Sequence, residues 1–97
     1  MQLDQKVLQA LDRLKPSMPS LSAREAHVFQ QVMLCGNAER AGEIIFSLPL
    51  GSQRKVGRSL VLLTACLLGA GSPNVEYLRT MKKVGELLTA YTQAELN

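Results

Sequence analysis

Apolar residues recur along this chain at intervals of three and four and never alternate with period two over a useful length, so its apolar side chains can be buried together only on helices. The stripe Leu3, Val7, Leu11 and Leu14 predicts an amphipathic helix over residues 3–14. Lys15-Pro16-Ser17-Met18-Pro19-Ser20 ends it, because each proline removes a donor and restricts the residue before it. Ser22-Ala23-Arg24-Glu25 matches a capping box and opens a second helix, expected to reach about Cys35 and to bury Val28, Phe29, Val32 and Met33. Gly36 suits the left-handed residue that closes a helix, and Asn37 can cap the next one directly. That third helix carries the stripe Ala38, Ala41, Ile44, Ile45 and Leu48, with small Ala38, Ala41 and Gly42 permitting close approach to a neighbour.

Pro49, Gly51 and Ser52 are expected to break the chain before a fourth helix, about Gln53 to Leu68, that starts basic and turns almost wholly apolar. After Gly69-Ala70-Gly71, Ser72 is expected to cap and Pro73 to take the first position of a fifth helix. This helix should run to about Glu95 with Val75, Leu78, Met81, Leu88 and Tyr91 inward, and Gly85 weakening or bending it. The expected fold is all-α, with five helices in a single domain over 1–97. It comprises an N-terminal helix over 1–15, a first helical hairpin over 22–48 and a second over 52–95.

Ninety-seven residues supply one core, yet 46% are hydrophobic and only 20% charged. So small a body leaves part of that apolar surface outside the core, which points to a protein partner. The net charge of +3 falls short of the density needed to grip nucleic acid through phosphates. Arg54, Lys55 and Arg58, and the pair Lys82 and Lys83, read as solvated helix faces. Cys35 and Cys66 sit in apolar runs with no second ligand nearby in sequence, which predicts buried free thiols in a reducing cytoplasm rather than a disulfide or zinc site. The N-terminal stretch has charges among its apolar residues and no signal-peptide core. The apolar run Leu60 to Gly71 is about a dozen residues, where a membrane helix needs roughly 20, so no membrane insertion is expected. His27, the one histidine, has no Ser, Cys or carboxylate constellation around it in sequence. With no phosphate loop, carboxylate pair or metal cluster either, no catalytic residue, cofactor or metal is expected, and the chain is not expected to be an enzyme.

Sliding the chain against itself by 33 residues aligns Val28, Phe29, Met33, Leu34 and Gly36 with Val61, Leu62, Cys66, Leu67 and Gly69. Glu43, Ile44 and Ile45 fall on Glu76, Tyr77 and Leu78. A helix, a glycine turn and a second helix at this period predict tetratricopeptide-like hairpins in a short right-handed stack, with a concave face open to a peptide.

Two stretches carry a resemblance to a known family. Arg24-Glu25-Ala26-His27-Val28-Phe29, followed by Leu34-Cys35-Gly36-Asn37-Ala38-Glu39-Arg40-Ala41-Gly42-Glu43-Ile44-Ile45, resembles the early hairpin of the tetratricopeptide-like needle chaperones of bacterial type III secretion. Leu60 to Ser72 looks like that family's later Leu-Ala-Leu-Cys-x-x-x-Leu-Gly-x-Gly-Ser segment. The likeness spans about residues 22 to 92, and it departs from longer family members in having only Pro49 to Ser59 between the two stretches. It implies a cytoplasmic bacterial chaperone that joins a small helical co-chaperone. Together they cover the amphipathic C-terminal helix of the needle subunit and prevent its premature polymerisation. Phe29, Met33, Leu62, Leu63 and Cys66, on the first helices of the two hairpins, are then expected to line the client-binding groove. Met33 suits that role because a thioether adapts to a partner surface. Leu3, Val7, Leu11 and Leu14 are expected either to meet the co-chaperone or to pack on the chain's own second helix.

Two other readings compete with it. Leu21-Ser22-Ala23-Arg24-Glu25-Ala26-His27-Val28-Phe29 looks like the opening of the helix-turn-helix domain of LuxR-type regulators. A recognition helix after Pro49 would present Gln53, Arg54, Lys55 and Arg58 to base edges, before turning wholly apolar at Leu60. A plain helical adaptor or dimerisation module is the other.

Overall fold

The structure, a computed structural model, describes residues 5–71 and 73–96, with side chains at all of these but 6 and 91–96. Five α-helices account for nearly all of it: α1 Gln5–Leu14, α2 Ala23–Cys35, α3 Ala38–Phe46, α4 Leu50–Gly69 and α5 Val75–Leu96. A short 3₁₀ turn, Lys15–Ser17, follows α1 directly. The described residues contain no strand, so the fold is all-α.

Local chemistry sets the ends of α2 and α3 as the residue types require. The Ser22 hydroxyl accepts the Glu25 N–H at 3.2 Å, and the Glu25 carboxylate accepts the Ser22 N–H at 2.8 Å. Gly36 closes α2 at φ +70°, where a side chain would be strained. The Asn37 amide oxygen then accepts the Arg40 N–H at 3.0 Å and starts α3.

Elsewhere the boundaries differ from expectation. α4 begins at Leu50, so Gly51 and Ser52 lie inside its first turn and do not break the chain. Proline alone makes this break. Pro49 stands just before the helix, where its missing N–H costs nothing, and its carbonyl accepts the Gln53 N–H at 2.9 Å. α5 begins at Val75, which leaves Pro73 outside the helix. Asn74, at φ +62°, supplies the first carbonyl, bonded to the Leu78 N–H at 3.0 Å. The expected cap Ser72 lies outside the described residues. Val75 faces solvent at 40% exposure, whereas Leu78, Met81 and Leu88 turn inward as their spacing predicts. The side chain of Tyr91 lies outside the described set.

α4 is the central element and packs against all four other helices. Val56, Leu60 and Leu63 are fully buried on it, each contributing roughly 1.5–3 kcal/mol of burial. Ser59 and Thr64 are equally buried and are satisfied by the helix itself, their hydroxyls donating to the carbonyls of Lys55 and Leu60. The longest interface is that of α4 with α5. α2 contributes Val28, Phe29 and Val32 to the same core, and α3 contributes Ala41 and Ile45. α1 rests on α4, not on α2.

The two hairpins are not copies of one unit. α2 and α3 have 13 and 9 residues, while α4 and α5 have 20 and 22. Ile45 and Leu48 stand 33 residues before Leu78 and Met81, and all four are buried, but the first helices do not share that register. Glu25, Val28, Phe29 and Val32 are buried, but Arg58, Val61, Leu62 and Ala65, 33 residues on, are all exposed or half-buried. Gly57, Leu60 and Thr64, one residue earlier, are buried. One residue turns a helix by about 100°, so between α2 and α4 a letter match at 33 aligns different faces.

Candidate functional site

Of the five large apolar residues exposed among the described ones, three lie together. Phe46 is 66% exposed, Leu87 61% and Leu50 39%, and all three line one groove of about 830 Å³ where α3, the start of α4 and α5 meet. On α3 the core takes Ala41 and Ile45, which turns Glu39, Gly42, Glu43 and Phe46 toward the groove. Phe46 stands in the last turn of α3, and helix side chains lean toward the N-terminus, over Gly42. A Cβ at Gly42 would lie 3.9 Å from the Phe46 ring and touch nothing else, so the missing side chain opens the groove and does not serve close helix packing. Leu50 enters from the first turn of α4; Val84, Leu87 and Leu88 come from α5.

The charged residues lining the groove are Glu39 and Glu43, four apart on α3 and both exposed. Among the described residues neither has an ion partner; the ion pair found there is Lys55 with Glu25, at 3.6 Å on the other side of α4's N-terminus. Gln53, also in the groove lining, is fixed by donating from Nε2 to the Leu48 carbonyl at 2.8 Å.

None of the residues expected to form a client groove lines this one. Phe29 is 5% exposed and Leu63 is fully enclosed, both within the core. Met33 and Cys66 are half-buried and packed on the core, and Leu62 is half-buried. Val7, Leu11 and Leu14 are likewise half-buried against the core of their own chain, and Leu3 lies outside the described residues. A smaller cleft of about 680 Å³ lies between α1 and the segment leading to α2, lined by Leu8, Leu11, Asp12, Lys15, Met18 and Leu21 among others. Leu8 is the most exposed apolar residue there, at 45%. Sequence carries a trace of the groove. Phe46 and Leu87 are apolar residues that fall off the inward stripes of their helices, as a helix with apolar groups on two faces requires.

Two polar contacts tie the ends of α2 to its neighbours. The Glu25 carboxylate accepts from the Ser52 hydroxyl as well as from Ser22, and so ties the start of α2 to the start of α4. The Ser22 N–H and then the Ser52 hydroxyl hold this carboxyl below its ordinary value; burial opposes them by less than either, and the Lys55 ammonium adds a smaller lowering effect. At the other end of α2, the Tyr77 hydroxyl donates to the Val32 carbonyl, one of those that a helix end leaves without a partner. Burial first, then neighbouring Cys35, pushes the Tyr77 hydroxyl up to about 12, opposed by the Gly36 N–H.

Of the side chains that a DNA-reading α4 would present, Gln53 is enclosed and bonded to Leu48, and Lys55 is held by Glu25. Cys35 and Cys66 are free and half-buried, His27 is exposed, and the described residues hold no group of metal-ligating side chains. No helix among them is long and apolar enough to cross a membrane. No protein-family model, curated protein or solved structure matches the chain.

Proposed function

We propose that this chain is a non-enzymatic chaperone subunit that covers an amphipathic helix of another protein in the groove between α3, α4 and α5. The observation that carries this reading is the gathering of Phe46, Leu50 and Leu87, all substantially exposed, around one apolar concavity. Recognition of a helix needs such a groove, with the apolar face of the guest replacing water over these side chains. At roughly 25 cal/mol per Å² of apolar area removed from water, less the cost of ordering the guest, a few turns of helix suffice for useful affinity.

The resemblance of residues 22 to 92 to type III secretion needle chaperones supplies the client: the C-terminal helix of a needle subunit, kept from polymerising in the bacterial cytoplasm. A small co-chaperone completes the complex, and the α1 cleft around Leu8 is its place in this reading.

Co-expression tests it. Co-expressed with a needle subunit and its co-chaperone, the chain should hold the needle subunit soluble and unpolymerised, and Phe46→Asp should abolish recovery of the needle subunit. A lone chain that is a stable monomer, and that captures neither protein, would sink the proposal.

A further inference from the structure

We infer that the helix the groove accepts is flanked on one side of its apolar stripe by lysine or arginine residues four apart, and that these pair with Glu39 and Glu43 of α3. This rests on the groove being the docking site and goes on to specify the chemistry of its occupant. The chain as a whole is positive, at +3, yet the charged residues lining the groove are both carboxylates. Both are exposed and without an ion partner among the described residues, so both can meet a guest, Glu39 also suiting the first turn of α3. Four residues of helix rise about 6 Å, so the two carboxylates stand one turn apart along the groove wall. A guest helix running beside α3 repeats that spacing with basic residues at i and i+4, while its apolar stripe covers Phe46, Leu50 and Leu87. An acidic guest helix would set like charges along the same wall, and a guest flanked by neutral residues would leave both carboxylates unpaired. The wall therefore selects among amphipathic helices that the apolar floor alone would accept equally.

The test uses three end-capped helical peptides of about 18 residues, or five turns. They share one leucine stripe and differ only in carrying Lys, Gln or Glu at two flanking positions four apart. Each is labelled and titrated into the full chain by fluorescence anisotropy at low and high salt. The Lys peptide should bind about three- to tenfold tighter than the Gln peptide at low salt, with the Glu peptide weakest. The ranking should collapse at high salt, where exposed charges are screened, and equally in the Glu39→Gln/Glu43→Gln double variant. If all three peptides bind alike, yet Phe46→Ser weakens them all, the basic flank is wrong and the groove stands. Failure of every peptide to bind, or binding indifferent to both Phe46→Ser and Leu87→Ser, overturns the groove and the flank together. A concentration-dependent dimer of the chain that Phe46→Ser dissolves makes a second copy the occupant, and overturns the basic helix.

Discussion

Glu25 joins three different needs in one side chain: it completes the cap of α2, receives the Ser52 hydroxyl and pairs with Lys55. All three favour the ionised form. Its folded-state value therefore lies below the ordinary 4.5, and the stability it adds is present above 4.5 and lost as pH falls through the folded value. Urea unfolding of the native chain should lose stability progressively below pH 4.5, and Glu25→Gln should flatten that part of the profile while starting from lower stability at neutral pH. A Glu25→Gln profile as steep as the native one would show that other carboxylates govern acid unfolding. Tyr77 acts at the opposite end of α2. Tyr77→Phe leaves the Val32 carbonyl without its donor and should lower unfolding free energy by about 1 kcal/mol in chemical denaturation, with the fold retained by circular dichroism.

Between elements, α4 and α5 approach each other closely at two glycines. A Cβ built on Gly85 of α5 would lie 2.5 Å from the Gly57 carbonyl oxygen and 2.9 Å from a Val61 methyl of α4. Gly85 is therefore not merely a weak point in a helix; it is where α5 meets the backbone of α4. Gly85→Ala should destabilise by about 1–3 kcal/mol, despite alanine's advantage of about 1 kcal/mol in helix propensity. Gly51→Ala is its counterpart: an added Cβ there meets nothing within 4 Å, so it should be neutral or stabilising by up to about 1 kcal/mol. Thermal unfolding of the two variants separates the effects.

What the sequence made legible at this scale follows from how far each signal reaches. Ser22, Glu25, Gly36 and Asn37 act on their own backbone within a few residues, so their pattern alone located the α2–α3 hairpin. Gly51 and Ser52 look like chain breakers, but the first turn of a helix tolerates both, and only the contacts of α4 decide between the two. The Gly57–Gly85 contact joins positions far apart in sequence, and no periodicity reports it.

As a whole molecule the chain has a Cα radius of gyration of 12.4 Å, close to the roughly 12.5 Å of a compact domain of this length. It closes around α4 and does not open into a deep concave stack, which is why Phe29 and Leu63 end in the core. Helical periodicity identifies a face as apolar without telling whether the chain itself or a partner covers it. Phe46 follows Ile45 directly, and yet one is 66% exposed and the other fully buried. Because Phe46 supports no core packing, Phe46→Ser should leave unfolding free energy within about 0.5 kcal/mol of native while weakening capture of a guest helix, read by denaturation and by peptide titration.

The central claim is that the α3–α4–α5 groove, not the first helices of the hairpins, receives the partner. Photo-crosslinking tests it most directly, with a photoreactive residue placed singly at 46, 87, 62 or 66 and the needle subunit co-expressed. Adducts from positions 46 and 87, with none from 62 or 66, are the predicted result. Adducts from 62 or 66, with none from 46 and 87, would contradict it and return the client to the face that the helical repeat first suggested.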